Sequence, residues 1–301
     1  MIMRLIKPCC LVLFFLMSIA SFNAAYAEDD GSDDSGQGPK EPIYHITDEI
    51  DLKPEVKIQY QKPRVVIKAV YPLLIGTDTN ENIDRFNQLV AQIIQEEVNR
   101  FKEKVADLQS VQTQFKKSSV KNDLAIDFST SVVTIKHEPI ISIRFTIQGY
   151  MSGMAHPYHI HRVLNYDFAY GIPLTLTDLF KPNINYLDEL SEYSNNMLYR
   201  RLKDTSLVGP GTAAAPANFA NWNISPYGLL ITFDEAQVAP YVYGTQSVLI
   251  PYAILKPLLD PDYPVTSCAK SRWACLQRNV LTGGLIDEAA ATPLRSQGSN
   301  A

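Results

Sequence analysis

Three of the chain's five histidines, His156, His159 and His161, fall within six residues. On an extended segment His159 and His161 point to the same side, with His156 in the loop before them. Joined by one carboxylate, three imidazoles could hold zinc. Neither H-x-E nor H-x3-H spacing accompanies them. The favoured reading is therefore a hydrogen-bonding loop histidine, His156, followed by two partly exposed strand histidines, with no metal and no cofactor. Asp234-Glu235 sets two carboxylates just after an apolar run. Adjacent side chains on an extended chain point apart, so a solvated turn is favoured over a general acid/base pair. Ser152-Gly153 lacks the first glycine of a G-x-S-x-G elbow and its strand–turn–helix setting. No P-loop or dinucleotide fingerprint occurs in the sequence. The residues thus point to a non-catalytic protein, with a metal-dependent hydrolase using the histidine cluster as the alternative.

Aromatic residues give a better lead to a binding surface. Trp222, Tyr227, Tyr241, Tyr243 and Tyr252 gather in the last third of the chain. Tyrosine and tryptophan supply rigid contact area at protein interfaces and against sugars. Some of these rings must also serve a sheet core, Tyr241 and Tyr252 among them.

The address is written at the N-terminus. Arg4 and Lys7 precede an apolar run from Cys9 to Ala20, too short to span a bilayer, and Ala25-Tyr26-Ala27 is a small-x-small cleavage site. This predicts a signal peptide over 1–27, a periplasmic or secreted protein, and no membrane span after cleavage. Cleavage removes two of the 27 basic residues and none of the 32 acidic ones, leaving 25 against 32 and a net charge of −7. Such a chain favours cationic partners and disfavours nucleic acid. Only Cys268 and Cys275 would remain, and in an oxidising compartment a local disulfide is the default reading.

The apolar pattern supplies the elements. Residues 28–42 form a flexible acidic leader, and 43–63 an extended linker interrupted by Pro54 and Pro63. A strand runs from Arg64 to Tyr71 and ends at Pro72. Asn80 caps a helix over 81–106, whose stripe is Ile83, Phe86, Val90, Ile93, Ile94, Val98, Phe101 and Val105. Alternating residues over 122–150 predict an antiparallel hairpin turning near 138. After a loop at 151–158, a strand covers 159–169 and a helix 184–202. Residues 204–218, rich in Pro, Gly and Ala, read as a mobile loop or lid. Strands at 219–224, 228–233 and 245–250 and a short helix at 252–259 close the body. The fold class is α+β, with mostly antiparallel sheets, a long N-terminal helix and further helices packed on them. The domains read as 64–150, 151–260 and a disulfide-containing tail, 261–301, that frays at its end.

Four stretches carry a family resemblance. They are Val70-Tyr71-Pro72 with the helix that follows; Gly149-Tyr150-Met151-Ser152-Gly153-Met154-Ala155-His156; Leu164-Asn165-Tyr166-Asp167 with Gly171 to Phe180; and Gly228 to Phe233 with Val238-Ala239-Pro240-Tyr241-Val242-Tyr243-Gly244 and Ile250-Pro251-Tyr252. In this order they resemble the extracellular domain of unknown function shared by RsiV, a lysozyme-responsive anti-sigma factor, and PdaC-type polysaccharide deacetylases. Met154 stands where that family has a second glycine. The resemblance implies an RsiV-like binding module of the cell envelope, without the effector parts of either relative, whose partner is a lysozyme-like cationic hydrolase or cell-wall glycan. A deacetylase or other hydrolase acting on that glycan is the alternative. Loops on a rigid sheet are where binding residues usually sit. This places the site on 151–158, 204–218 and 239–244, with Gly153, His156, Tyr241, Tyr243 and Gly244 as binding residues.

Overall fold

In the computed structural model the described residues are 43–61, 65–112, 121–135, 138–270 and 275. The expected signal peptide, the leader at 28–42 and the end of the tail lie outside them. The described residues all belong to one unit, Glu41–Ala301.

Seven strands form a sheet in chain order: β1 (Tyr44–His45), β2 (Ile50–Gln61), β3 (Val65–Gly76), β4 (Asn122–Ile135), β5 (Glu138–Tyr150), β6 (Tyr158–Asp167) and β7 (Ile172–Pro173). Every pair is antiparallel except β3 with β4. A parallel pair needs a crossover, which the long helix α1 (Glu81–Gln112) provides. Asn80 Oδ1 accepts the Asn82 amide at 2.9 Å, the expected N-cap. The helix runs past its predicted end at 106.

The period-two pattern sorts the sheet's two faces. Leu124, Ile126, Ile141, Ile143, Phe145, Ile147, Leu164 and Tyr166 form one core with the α1 stripe of Phe86, Val90, Val98 and Phe101. Val133, Ile135 and Ile140 point the other way, into a second core. That core holds a three-stranded antiparallel sheet of β8 (Trp222–Ile224), β9 (Gly228–Phe233) and β10 (Gln246–Pro251). It also holds Leu190 and Leu198 of α2 (Tyr186–Arg201).

A buried polar seam joins the two sheets. Ser142 Oγ of β5 accepts from Asn223 Nδ2 at 2.9 Å and from the Ile224 amide at 3.0 Å, and it donates to Asn165 Oδ1. Asn165 Nδ2 in turn donates to the Trp222 carbonyl at 2.9 Å.

Three stretches differ from the sequence reading. Residues 50–61, expected as linker, pair with β3 along their whole length. Pro54 lies opposite Pro72, which confines both missing donors to one register position, so β3 continues through Pro72 to Gly76. The 204–218 segment is poor in apolar residues, as expected, but it is anchored and not a free loop. It contains α3 (Val208–Gly211) with Val208 fully buried, and it is followed directly by the fully buried Phe219. Gln237 Nε2 donates to the carbonyls of Gly211 and Asn218, at 3.2 and 3.0 Å. The strand expected from 219 begins only at Trp222, after a 3-10 turn at Pro216–Phe219.

Cys268 and Cys275 are joined in a disulfide, as expected, with Cα atoms 5.2 Å apart. Cys268 lies in the short helix α5 (Thr266–Lys270).

Candidate functional site

Strand β6 pairs with β5 along its length but with β7 only at Tyr166 and Asp167. The amides of its earlier residues therefore need other partners on the outer edge. The turn after β9 supplies them. The His159 amide donates to Glu235 Oε2 at 3.1 Å, and the His161 amide to Asp234 Oδ1 at 2.9 Å. Both imidazoles close on the same carboxylates. His161 Nδ1 lies 2.7 Å from Asp234 Oδ1, and His159 Nδ1 lies 2.8 Å from Glu235 Oε1, the latter off line for a good hydrogen bond.

The turn itself is tight. The Gln237 amide donates to the Asp234 carbonyl at 3.1 Å, the Asp234 amide donates to Gln237 Oε1 at 3.0 Å, and Ala236 sits at φ +61°. A left-handed alanine is uncommon and strained. The surrounding bonds hold it there.

These contacts revise two expectations. Asp234-Glu235 is not a solvated turn, because each carboxylate takes one histidine and one backbone amide. His161 is buried at 4% exposure, not a partly exposed strand residue. The two carboxylates reach the same edge of β6, and each meets a histidine two residues from the other's.

His156 lies outside this pairing. Its ring stacks on Tyr241 with centroids 3.8 Å apart, and its Nδ1 lies 3.0 Å from the Pro157 carbonyl. The Tyr241 hydroxyl donates to the same carbonyl at 2.8 Å. Partial desolvation, and then the Glu235 charge, push the Tyr241 phenol above its ordinary pKa. Tyr241 thus links the 151–158 loop to the carboxylate turn.

The three histidines do not form one ligand set, since each has its own partner. No group of three metal-ligating side chains occurs among the described residues.

The Tyr241–Tyr243 turn follows Pro240 and ends at Gly244, whose φ of +63° suits glycine. In the 151–158 loop the positive φ falls on Gly153, at +98°, and not on Met154. The departure at Met154 is thus compatible with the loop backbone. Met154 packs its side chain against the first core instead. Between the two corner tyrosines, Val242 is 85% exposed. Tyr243 is half-buried against the second core, and its carbonyl accepts Gln246 Nε2 at 2.8 Å.

The structure therefore joins the 151–158 loop, with Gly153, to the 239–244 corner, with Gly244, through the His156–Tyr241 contact, with Tyr243 turned partly inward. Residues 204–218 are tied to the carboxylate turn, and not to this loop and corner, through Gln237. Sequence reasoning missed the two carboxylates as partners of His159 and His161. The signal was present, as two alternating histidines and two adjacent acids, but more than 70 residues separate them.

Residues 177–253 match the family model described as "Protein of unknown function (DUF3298)". This segment is similar to a DUF3298 domain. It contains the carboxylate turn and the Tyr241 corner but not the histidine strand, so the site straddles its boundary. The resemblance to the RsiV and PdaC type of domain stands. Over 183 residues the chain is 26% identical to the peptidoglycan-N-acetylmuramic acid deacetylase PdaC of Bacillus subtilis, covering 60% of this chain and 37% of that one. Over 106 residues it is 27% identical to an esterase of Mycobacterium tuberculosis, covering 35% of this chain and 47% of that one. The chain thus matches less than half the length of either relative. A crystal structure of a DUF3298 family member from Bacteroides fragilis superposes with a TM-score of 0.50 at 17% identity, covering 76% of this chain and 98% of that one. That likeness concerns the fold alone.

Proposed function

We propose that this chain is an exported, non-catalytic binding protein of the cell envelope. Its partner in this reading is a cationic cell-wall hydrolase of the lysozyme type, met by the surface built from the 151–158 loop and the 239–244 corner. The observation that carries the reading is the His156–Tyr241 stack, which makes one surface of two remote loops. Val242 stands exposed at its tip, and Glu235 lies close enough to act on the Tyr241 phenol. An apolar anchor with an acidic group close by suits a basic protein partner. The net charge of −7 left after removal of residues 1–27, 25 basic against 32 acidic, would speed encounter with it. A relative named for its action on peptidoglycan supports the envelope setting.

The test is binding of purified protein to lysozyme by interferometry. Val242→Ser and His156→Ala should each weaken binding by about tenfold while melting temperature holds. Affinity should fall as salt shortens the screening length below ~8 Å. Absence of binding, or variants that bind like the parent, would overturn the reading.

The second reading is a hydrolase or deacetylase acting on cell-wall glycan. The buried His161–Asp234 pair favours it, because a carboxylate-oriented imidazole is the core of general-base chemistry. Near-stoichiometric zinc, together with acetate release from an N-acetylated glycan, would put this reading first.

A further inference from the structure

Four buried polar atoms without a hydrogen-bond partner gather where the two sheets meet: Arg144 Nε, Ser129 Oγ, Ser131 Oγ and Asn223 Oδ1. Register brings them together. Ser129 lies directly opposite Arg144, and Ser131 opposite Ser142, across β4 and β5. Asn223 is bonded to Ser142 Oγ from the small sheet. Arg144 Nη1 donates to Thr232 Oγ1 at 3.2 Å. Among the described residues the guanidinium pairs with no carboxylate; the ion pairs of neighbouring strands go elsewhere. Asp127, one step along the same face of β4, is exposed and accepts the Phe128 amide at 2.8 Å.

Burial holds the Arg144 pKa below the ordinary arginine range, the mark of a charge in an unfavourable setting. Water could satisfy two serine hydroxyls, but it brings no counter-charge to this half-buried cation. Along β5 from Arg144 the next residues on this face are Thr146, half-buried, and Gln148, exposed.

We propose that Arg144, Ser129 and Ser131 form a seat for a small oxyanion, phosphate or carboxylate. The guanidinium offers Nε–H and a terminal N–H in the planar fork that fits two oxygens of such a group. The serine hydroxyls donate to the oxygens that remain or to Asn223 Oδ1. The proposal does not rest on hydrolase binding, and the charge left by the rest of the chain does not decide it, because the seat is local and desolvated.

The test measures melting temperature of the full exported chain in chloride buffer, titrated at constant ionic strength with inorganic phosphate and separately with acetate. The parent should show a saturable rise of about 3 °C with at least one anion, and which one responds tells phosphate from carboxylate. Arg144→Met should lose that rise and melt in chloride at or above the parent, because it removes an uncompensated charge. Ser129→Ala should fold normally and need about fivefold more anion for half-saturation. Lack of a saturable rise in the parent overturns the proposal. So does an equal rise in Arg144→Met, which marks general solute exclusion. If Arg144→Met does not fold, an unchanged half-saturation in Ser129→Ala overturns it.

Discussion

Ser142→Ala tests the seam between the two sheets at its centre. The Ser142 hydroxyl makes three bonds: two accepted, from Asn223 Nδ2 and the Ile224 amide, and one donated to Asn165 Oδ1. All four residues are buried, at 2% exposure or less. Each bond contributes roughly 1 kcal/mol net, and each orphaned buried partner costs a similar amount or more. Part of the loss is offset, because Asn223 Nδ2 keeps the Ile143 carbonyl at 3.0 Å and Asn165 Nδ2 keeps the Trp222 carbonyl at 2.9 Å. The expected destabilisation is about 2–4 kcal/mol. Ser131→Ala is the matched control, directly across the strand pair from Ser142. Its hydroxyl is buried and bonds nothing, so its removal should cost less than about 0.5 kcal/mol in anion-free buffer. Urea unfolding followed by tryptophan fluorescence reads both, since Trp222 sits in the seam. The midpoint should drop for Ser142→Ala with an unchanged slope. A Ser142→Ala midpoint equal to that of Ser131→Ala would refute the account of how the sheets are held.

Stability should fall in alkali. Tyr252 is fully buried with its hydroxyl on the Ser225 carbonyl at 2.8 Å, and burial pushes its pKa well above the ordinary value. A raised folded pKa favours the neutral phenol, so this stabilisation is complete below the unfolded pKa near ~10. Above it the contribution is lost at about 1.4 kcal/mol per pH unit. Tyr263 shifts the same way through burial and the Asp167 charge; a urea midpoint that stays flat from pH 9 to 11 would contradict both. Within α3, a Cβ on Gly211 would meet the Gln237 carbonyl oxygen at 2.1 Å, whereas one on Gly209 meets nothing closer than the Tyr199 hydroxyl at 4.0 Å. Gly211→Ala should therefore cost about 1–3 kcal/mol and Gly209→Ala nothing, or a small gain, in the same unfolding assay. The Cys268–Cys275 bridge spans a sequence separation of seven, so reducing it should cost about 2.5 kcal/mol, near the low end for disulfides. Mass spectrometry of unreduced protein should find no free thiol at either position.

What was legible in the sequence is what depends on local period. The α1 stripe and the alternation through β4 and β5 each carry their own evidence, and the two fix which face of the sheet meets the helix. What was not legible depends on remote partners. Pro54 reads as a breaker until Pro72 is placed opposite it. Residues 204–218 look too small and polar for a core until Gln237 is seen binding their carbonyls. Arg144 passes for an ordinary polar position of an alternating strand, and only the second sheet, packed over its neighbours, makes it a half-buried cation without a carboxylate partner.

The same distinction bears on the candidate site. The Asp234–Gln237 turn covers an open edge of β6, and uncovered edges recruit other strands. That role alone accounts for both carboxylates, for the left-handed Ala236 and for the pairing of His159 and His161. Substitutions there would unsettle the sheet whether or not a partner binds. Tyr243 is compromised in the same way by its place against the second core. Val242 is different: it is exposed, apolar, and flanked by tyrosines that are held by other contacts. No packing argument explains a valine there. It is therefore the position at which loss of binding and loss of folding come apart, and the reading of this chain as a hydrolase-binding protein stands or falls on it.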